Sequence, residues 1–152
     1  MVAPFLSSWL RRPAPRAWCR TALARGASLQ AAVDAACSEL RGCGPADLAL
    51  VFVSTSFASD LPRLLPLLQQ RLQARHWLGC AGGGVVGTEA TGTPRELEDE
   101  PALSVTLLSL PGADLHTFAI AATDLPDLDG PADPWLELVG RSPTAAHSML
   151  LL

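Results

Sequence analysis

Residues 76–87 read His-Trp-Leu-Gly-Cys-Ala-Gly-Gly-Gly-Val-Val-Gly, and they restrict the possible folds more than any other part of the chain. A short apolar run that opens into four glycines within six residues is typical of a buried strand that ends in a loop. Glycine is used where the backbone takes a positive φ or where another group must come close. We therefore predict a strand at 76–81 and a glycine loop in which Gly83 has a positive φ, so that Gly83→Val would destabilise the loop.

The residues before this loop predict a strand-helix-strand unit. Asp47–Ser54 contains a continuous apolar run, which fits a strand that is covered on both faces. From Asp60 to Arg75, leucines recur at helical spacing. Pro62 fits the first turn of this helix, whereas Pro66 should kink the helix or mark its true start. Together with the strand at 76–81, these segments predict a right-handed crossover between two parallel strands.

The flanking segments predict a helix and antiparallel strands. Ala27–Arg41 has an apolar stripe at helical spacing, and Ser28 can cap it. Ala102–Leu110 alternates apolar and polar residues, which indicates a strand with one buried face, and Leu115–Ala122 is predicted to be its hairpin partner. The charged segment Arg95–Glu100 is interpreted as a solvated edge or loop. The predicted fold class is therefore α/β (α+β), with helices packed on a mixed sheet that combines the parallel unit with antiparallel hairpin strands.

The first 25 residues contain five arginines and no acidic residue, a composition typical of an organellar transit peptide. A disordered tail or an incorrectly assigned start codon would give the same pattern, and in each case the folded domain is expected at 26–152. The protein is then expected to be intracellular, in a chloroplast or mitochondrion if residues 1–25 are a transit peptide and in the cytoplasm otherwise. The apolar end, Ser148–Leu152, is interpreted as a truncation.

Charge, the length of apolar runs and cysteine content argue against several classes of protein. The net charge is −4, and without the first 25 residues the chain is clearly acidic, which argues against binding to nucleic acid. No apolar run approaches the roughly 18 residues that a membrane span needs, so no membrane partner is expected. The four cysteines stand singly, as expected for reduced intracellular thiols.

The parallel unit predicts a small-ligand site. In open sheets, ligands bind beyond the carboxyl ends of parallel strands. This rule brings hydroxyl groups from the end of the first strand close to the glycine amides, which offers donors without fixed charge for a carboxylate or an amide. The predicted ligand-binding residues are Ser54, Thr55, Ser56, Cys80, Gly82, Gly83 and Gly84.

Nucleotide binding and catalysis find less support in the sequence. Residues 82–87 match G-x-G-x-x-G, but the residues that follow them are poor helix formers, and no Lys-Ser or Lys-Thr pair completes a phosphate loop. The alternative interpretation of residues 82–87 is a purely structural one, in which they form a simple connection between strands. His76 lies four strand residues from Cys80, about 13 Å away and too far to activate the thiol. We therefore expect a non-enzymatic protein with no catalytic residues, no metal site and no cofactor.

The sequence resembles the FIST N-terminal domain family over roughly residues 27–140. The resemblance rests on the strand Asp47–Ser54, the leucine-rich block from Leu64 to Leu72, and Leu78-Gly-Cys-Ala-Gly-Gly-Gly-Val-Val-Gly87. It continues through Glu96–Val105 and Leu108–Pro111. The order and spacing of these blocks make the resemblance specific, although each block alone would be weak.

The resemblance implies a sensory domain of signal-transduction proteins that binds small ligands such as amino acids. In some eukaryotic members, the domain resembles the substrate-recruiting part of an F-box ubiquitin ligase. The family usually pairs this domain with a C-terminal FIST domain, so a C-terminal FIST domain beyond these residues is an expected partner. The resemblance implies no catalytic residues.

Two functions remain open at this point. One is a sensor that binds a small molecule between the Ser54–Ser56 turn and the glycine loop. The other is a scaffold that binds a protein partner through the acidic segment 96–100 and the hairpin face, with a purely structural glycine loop. An enclosed cavity at the strand ends would favour the sensor. An exposed apolar patch without such a cavity would favour the scaffold.

Overall fold

The computed structural model describes residues 16–140, 148–150 and 152. Six strands and three helices form in this part of the chain, together with 3-10 segments at Thr55–Asp60 and Ala122–Asp124. In chain order they are β1 (Trp18–Arg25), α1 (Leu29–Glu39), β2 (Ala46–Ser54), α2 (Leu61–Gln69), β3 (Ala74–Gly82), β4 (Gly84–Thr88), β5 (Pro94–Glu98), β6 (Ala102–Ser109) and α3 (Asp133–Val139).

A four-stranded sheet with the order β1-β6-β2-β3 forms the centre of the molecule. β2 and β3 are parallel, whereas β6 is antiparallel to both β1 and β2. This arrangement confirms the predicted mixed α/β fold with a parallel strand-helix-strand unit. None of the helices in the described part of the chain is both long and apolar enough to cross a membrane.

The first helix forms as predicted. Ser28 is its N-cap, and its hydroxyl accepts a hydrogen bond from the Ala31 N–H at 3.2 Å. Gly42, with a φ of 82°, follows the end of the helix in the left-handed region. The buried side of α1 packs against one face of the sheet, through Leu29, Ala32, Val33, Ala36 and Cys37.

The second helix is shorter than predicted. It covers Leu61–Gln69, with Pro62 in its first turn and Pro66 inside it. Because Pro66 has no N–H to donate, it removes one hydrogen bond from the helix. The residues before α2 form the 3-10 segment Thr55–Asp60, and β3 already begins at Ala74, so the predicted helix end at Arg75 is wrong.

Two separate clusters of buried side chains lie on the two faces of the sheet. On the first face, α1 and α2 cover the alternating side chains Ala49, Val51, Val53, Leu103, Val105 and Leu107. On the opposite face, the β4–β5 hairpin packs on Leu23 and Phe52 through Val85 and Leu97. Ser104, which faces the hairpin, is also buried, so β6 does not have the single buried face that was predicted.

The fold was predicted to start at residue 26, but β1 belongs to the sheet, so the predicted start is wrong. Every residue of Trp18–Arg25 pairs with β6. Within this strand, Ala22, Leu23 and Ala24 are buried, while Arg20 and Arg25 remain exposed. The arginines made the segment resemble a targeting peptide, although the apolar residues between them complete the sheet. The part of that prediction that concerns residues 1–15 lies outside the described residues.

The antiparallel hairpin lies at a different place from the one predicted. β4 and β5 form it, and its turn is closed by a hydrogen bond from the Glu89 N–H to the Thr93 carbonyl at 3.0 Å. The segment Leu115–Ala122, predicted as the partner strand of β6, contains no strand. β5 was not recognised in the sequence because most of its residues are charged. Leu97, which is 2% exposed, is its single buried side chain.

Candidate functional site

The register of β2 and β3 brings the two ends of the predicted site together. Ser54 pairs with Gly82 at the carboxyl ends of the parallel strands, and Phe52 pairs with Cys80. The prediction that these chain segments meet at the carboxyl ends of the two parallel strands is therefore correct for the backbone. Whether they form a binding site depends on their side chains.

The Ser54 hydroxyl is used within the protein. Ser54 is 1% exposed, and its Oγ accepts a hydrogen bond from the Ser56 N–H at 3.2 Å and donates one to the Ser56 Oγ at 3.0 Å. Ser54 is thus the cap of the 3-10 segment. Thr55 and Ser56 are exposed. Ser54 therefore positions the turn between β2 and α2.

The glycine loop differs from the prediction in its conformation. Gly83 has no positive φ, and a Cβ built on it would meet no atom within 4 Å, so the expected strain of Gly83→Val is wrong. Gly82–Gly84 continues directly into β4, and no helix begins there. The loop is therefore a short connection between two sheets, and the structural basis for binding a pyrophosphate is missing.

Close packing explains two glycines that flank the loop. A Cβ on Gly79 would collide with the carbonyl oxygen of Val51 on the neighbouring strand. A Cβ on Gly87 would lie 2.9 Å from both the Leu23 Cβ and the Ser104 Oγ. These contacts require glycine because the backbone passes close to other atoms.

An apolar groove lies between α2 and β3. Its volume is about 340 Å³. We refer to it as the β3 groove, and its lining consists of Val51, Val53, Leu61, Leu64, Leu65, Leu68 and residues 77–81. Of the predicted site residues, only Cys80 belongs to this lining. Because the lining side chains are apolar, the groove suits an apolar group, and the charged ends of a free amino acid would lose their hydration there without compensation.

The sequence contained a signal for the β3 groove that our prediction did not use. Leu61 and Leu65 lie one helical turn apart on α2 and remain 36% and 41% exposed. Leu64 and Leu68, on the adjacent stripe, are buried against the sheet. A helix with leucines on both stripes has a wider apolar face than its own sheet covers.

β3 is an edge strand of the sheet. Among the described residues, no strand pairs with its outer side. Gly79, Cys80 and Ala81 are exposed, and Trp77 is half-buried, with its Nε1 donating to the Ala74 carbonyl at 3.1 Å. The open edge and the β3 groove therefore lie next to each other.

A second hollow lies on the opposite face of the sheet. Its volume is about 470 Å³, and its lining includes Leu48, Leu78, residues 114–118, Trp135, Leu136 and Val139. Beside it, the His76 Nδ1 lies 3.4 Å from the Thr117 Oγ1. This hollow combines apolar side chains with a few polar groups.

Ion pairs fasten the β4–β5 hairpin to β1. Arg25 contacts Glu89 at 2.8 Å and Glu100 at 2.9 Å, and Arg95 contacts Glu89 at 3.3 Å. The hydrogen bond from Arg25 lowers the pKa of Glu89. No group of His, Cys, Asp and Glu side chains in the described part of the chain could hold a metal ion.

Comparison with known proteins identifies the family of the chain. The FIST N domain model matches residues 47–146, about two thirds of the sequence. No curated protein and no solved structure matches the chain. The matched region contains the parallel unit, the β4–β5 hairpin and β6. The chain therefore belongs to the FIST N domain family, whose members generally serve in sensing and signal transduction.

Proposed function

We propose that this domain is a non-enzymatic protein-interaction module of a signalling protein, and that it binds its partner through the edge of β3 and the β3 groove. The observation that carries the proposal is the position of an apolar groove beside a strand edge that no strand in the described part of the chain pairs with. An extended segment can add a strand to such an edge, with main-chain hydrogen bonds supplying affinity and apolar side chains supplying specificity.

The two edges of the sheet differ in how well they are protected against strand addition. Charged residues and proline on an edge strand oppose pairing with another chain. β1 carries two arginines, Arg20 and Arg25. β3 contains no proline, and Arg75, near its beginning, is its only Arg, Lys, Asp or Glu residue. This difference favours β3 as the edge that receives a partner.

The exposed leucines supply part of the binding energy. Full burial of a leucine side chain contributes about 1.5–3 kcal/mol. Leu61 and Leu65 are 36% and 41% exposed, so covering the remaining surface would contribute about 1 kcal/mol for each of them. This gain, added to main-chain pairing along β3, is suited to a reversible interaction.

Two kinds of protein partner suit this surface within the family. One is a substrate, if the domain serves as the recruiting part of an F-box type ubiquitin ligase. The other is a C-terminal FIST domain. Both would present a strand or an extended segment to β3, and both would cover Leu61 and Leu65.

The proposal is tested with a displayed library of random linear peptides, used at concentrations at which the protein is monomeric. Selected peptides are synthesised with a fluorophore, and their affinity is measured by fluorescence anisotropy. We expect Leu65→Asp to weaken binding at least about tenfold, equivalent to about 1.4 kcal/mol. Val86→Asp is the matched control, because Val86 is 62% exposed on β4, away from the groove. Equal binding by both variants, or no selected peptide at all, would contradict the proposal.

Small-ligand sensing is the second candidate function. It is supported by the hollow beside Thr117 and Trp135, whose volume of about 470 Å³ falls in the range of ligand sites. The test is a thermal-shift panel of free amino acids, since a ligand that binds only the folded state raises its stability. A saturable shift that Trp135→Ala abolishes would support sensing, and an unchanged melting temperature with every amino acid would contradict it.

A further inference from the structure

We propose that the partner of the β3 edge is a second copy of this chain, paired antiparallel so that two four-stranded sheets form one continuous sheet. The inference rests on the proposed function and concerns the same surface, which a second copy would occupy in competition with the substrate or the C-terminal FIST domain named above. It is carried by the self-complementarity of β3 in sequence and shape, and by a charge distribution that does not oppose the pairing.

The sequence of β3 is complementary to itself when read in the opposite direction. The strand Ala74–Gly82 has nine residues, and full overlap of two copies places Leu78 opposite Leu78 of the second copy. Trp77 then lies opposite Gly79 of the second copy, and the two-fold symmetry gives two such pairs. Gly79 cannot carry a side chain because of Val51, so the indole from the second copy would cover surface that this chain cannot cover itself. An aromatic side chain that covers an edge glycine on the neighbouring strand helps to fix the register of a sheet.

The helices also fit this arrangement. Trp77, Gly79 and Ala81 pair with Ala49, Val51 and Val53, and therefore lie on the face that α2 covers. Two β3 strands in contact would place the two α2 helices on the same face, separated by two strand spacings, about 10 Å. This is close to the usual distance between packed helices, about 8–10 Å. Leu61 and Leu65 of both copies would then line one joint groove.

Charge does not oppose the pairing. Arg75 would lie opposite Ala81 of the second copy, so no like charges face each other. The two Arg75 side chains would be six residues apart along the pair, about 20 Å, whereas the Debye length at physiological ionic strength is about 8 Å. Because the same surface is used twice, the arrangement closes as a two-fold dimer and does not propagate.

The register can be tested with charges at position 81, which is exposed. Sedimentation velocity over a concentration series is carried out on the full chain and on Ala81→Arg, Ala81→Asp and Arg75→Asp/Ala81→Arg. We expect a dimer for the unmodified chain and at least about tenfold weaker association for Ala81→Arg, because two arginine pairs face each other. Ala81→Asp should remain dimeric through pairing with Arg75 of the second copy, and the double variant should restore the dimer. Circular dichroism melts verify that each variant is folded.

The outcomes separate this inference from the proposed function. A chain that is monomeric at its highest soluble concentration, or a dimer that Ala81→Arg leaves unchanged, would overturn the antiparallel pairing. If such a monomer still bound selected peptides through Leu65, the proposed interaction surface would stand and only the identity of the partner would be wrong. A dimer broken by arginine substitutions on β1 and unaffected at position 81 would overturn the inference in favour of the opposite edge.

Discussion

Gly79 and Gly83 lie four residues apart, and their replacement by alanine should change the stability of the domain in opposite directions. At Gly79, the new Cβ collides with the Val51 carbonyl oxygen, and β3 must move away from β2. Overpacking of this kind costs about 1–3 kcal/mol. At Gly83, the φ is not positive and the surrounding space is open, so alanine only reduces the entropy of the unfolded chain. This effect stabilises by about 0.4–1 kcal/mol.

The assay is urea denaturation of the two variants and the unmodified chain, monitored by circular dichroism. A stability change should appear as a shift of the midpoint with an unchanged slope. We expect a lower midpoint for Gly79→Ala and an equal or higher midpoint for Gly83→Ala. If Gly83→Ala lowered the midpoint as much as Gly79→Ala did, close packing of β2 and β3 would not explain the glycines. A positive φ in the loop would then be the better explanation.

Three further predictions concern buried and charged side chains. Leu68→Ala should destabilise the domain by about 2–5 kcal/mol, because Leu68 is fully buried, whereas Leu65→Ala should have a much smaller effect; equal denaturation midpoints would contradict this packing. The lowered pKa of Glu89 means that its ion pairs stabilise the fold above its ordinary pKa and that this contribution is lost as the pH falls through the lowered value. The melting temperature of Glu89→Gln should therefore fall less than that of the unmodified chain as the pH is lowered, and an equal fall would refute the stabilising role of these ion pairs. Burial raises the pKa of the Cys37 thiol, so mass spectrometry should find slower alkylation of Cys37 than of the exposed Cys80 in the folded protein, and the reverse order would contradict the burial.

The parallel unit could be predicted from the sequence because its hydrophobic pattern is unambiguous. The apolar run that became β2 and the leucine spacing of α2 each have one simple explanation. The end of α2 was less predictable, since Pro66 allows either a kink or a new helix start. Ser28 was correctly assigned as a cap because a serine before an apolar stripe has a local physical role.

Elements whose stability comes from distant partners could not be predicted in the same way. In β1, two arginines lie on either side of a short apolar run, and the place of this strand in the sheet depends on β6, which is distant in sequence. β5 has one buried residue, Leu97, and its pairing depends on the turn at Glu89–Thr93. Charged residues make up three of the five residues of β5 but only two of the eight residues of β1, and in both strands a few apolar residues determine the position in the fold.

The candidate site was predicted only in part, for a related reason. Strand order correctly placed Ser54 next to Gly82. Local hydrogen bonding then used the Ser54 hydroxyl as a cap, which the residue type alone does not reveal. The β3 groove depends on how much of α2 the sheet covers, and this depends on the packing of Leu61 and Leu65 relative to β3.

Amide hydrogen exchange along the sheet, measured over a range of protein concentrations, tests the central claim most directly. The account holds that the edge of β3 receives a strand from a second copy. Protection of Ala74–Gly82 should therefore increase with concentration, while protection of Trp18–Arg25 stays constant. Unchanged exchange in β3 at every concentration, or an increase confined to β1, would contradict the account.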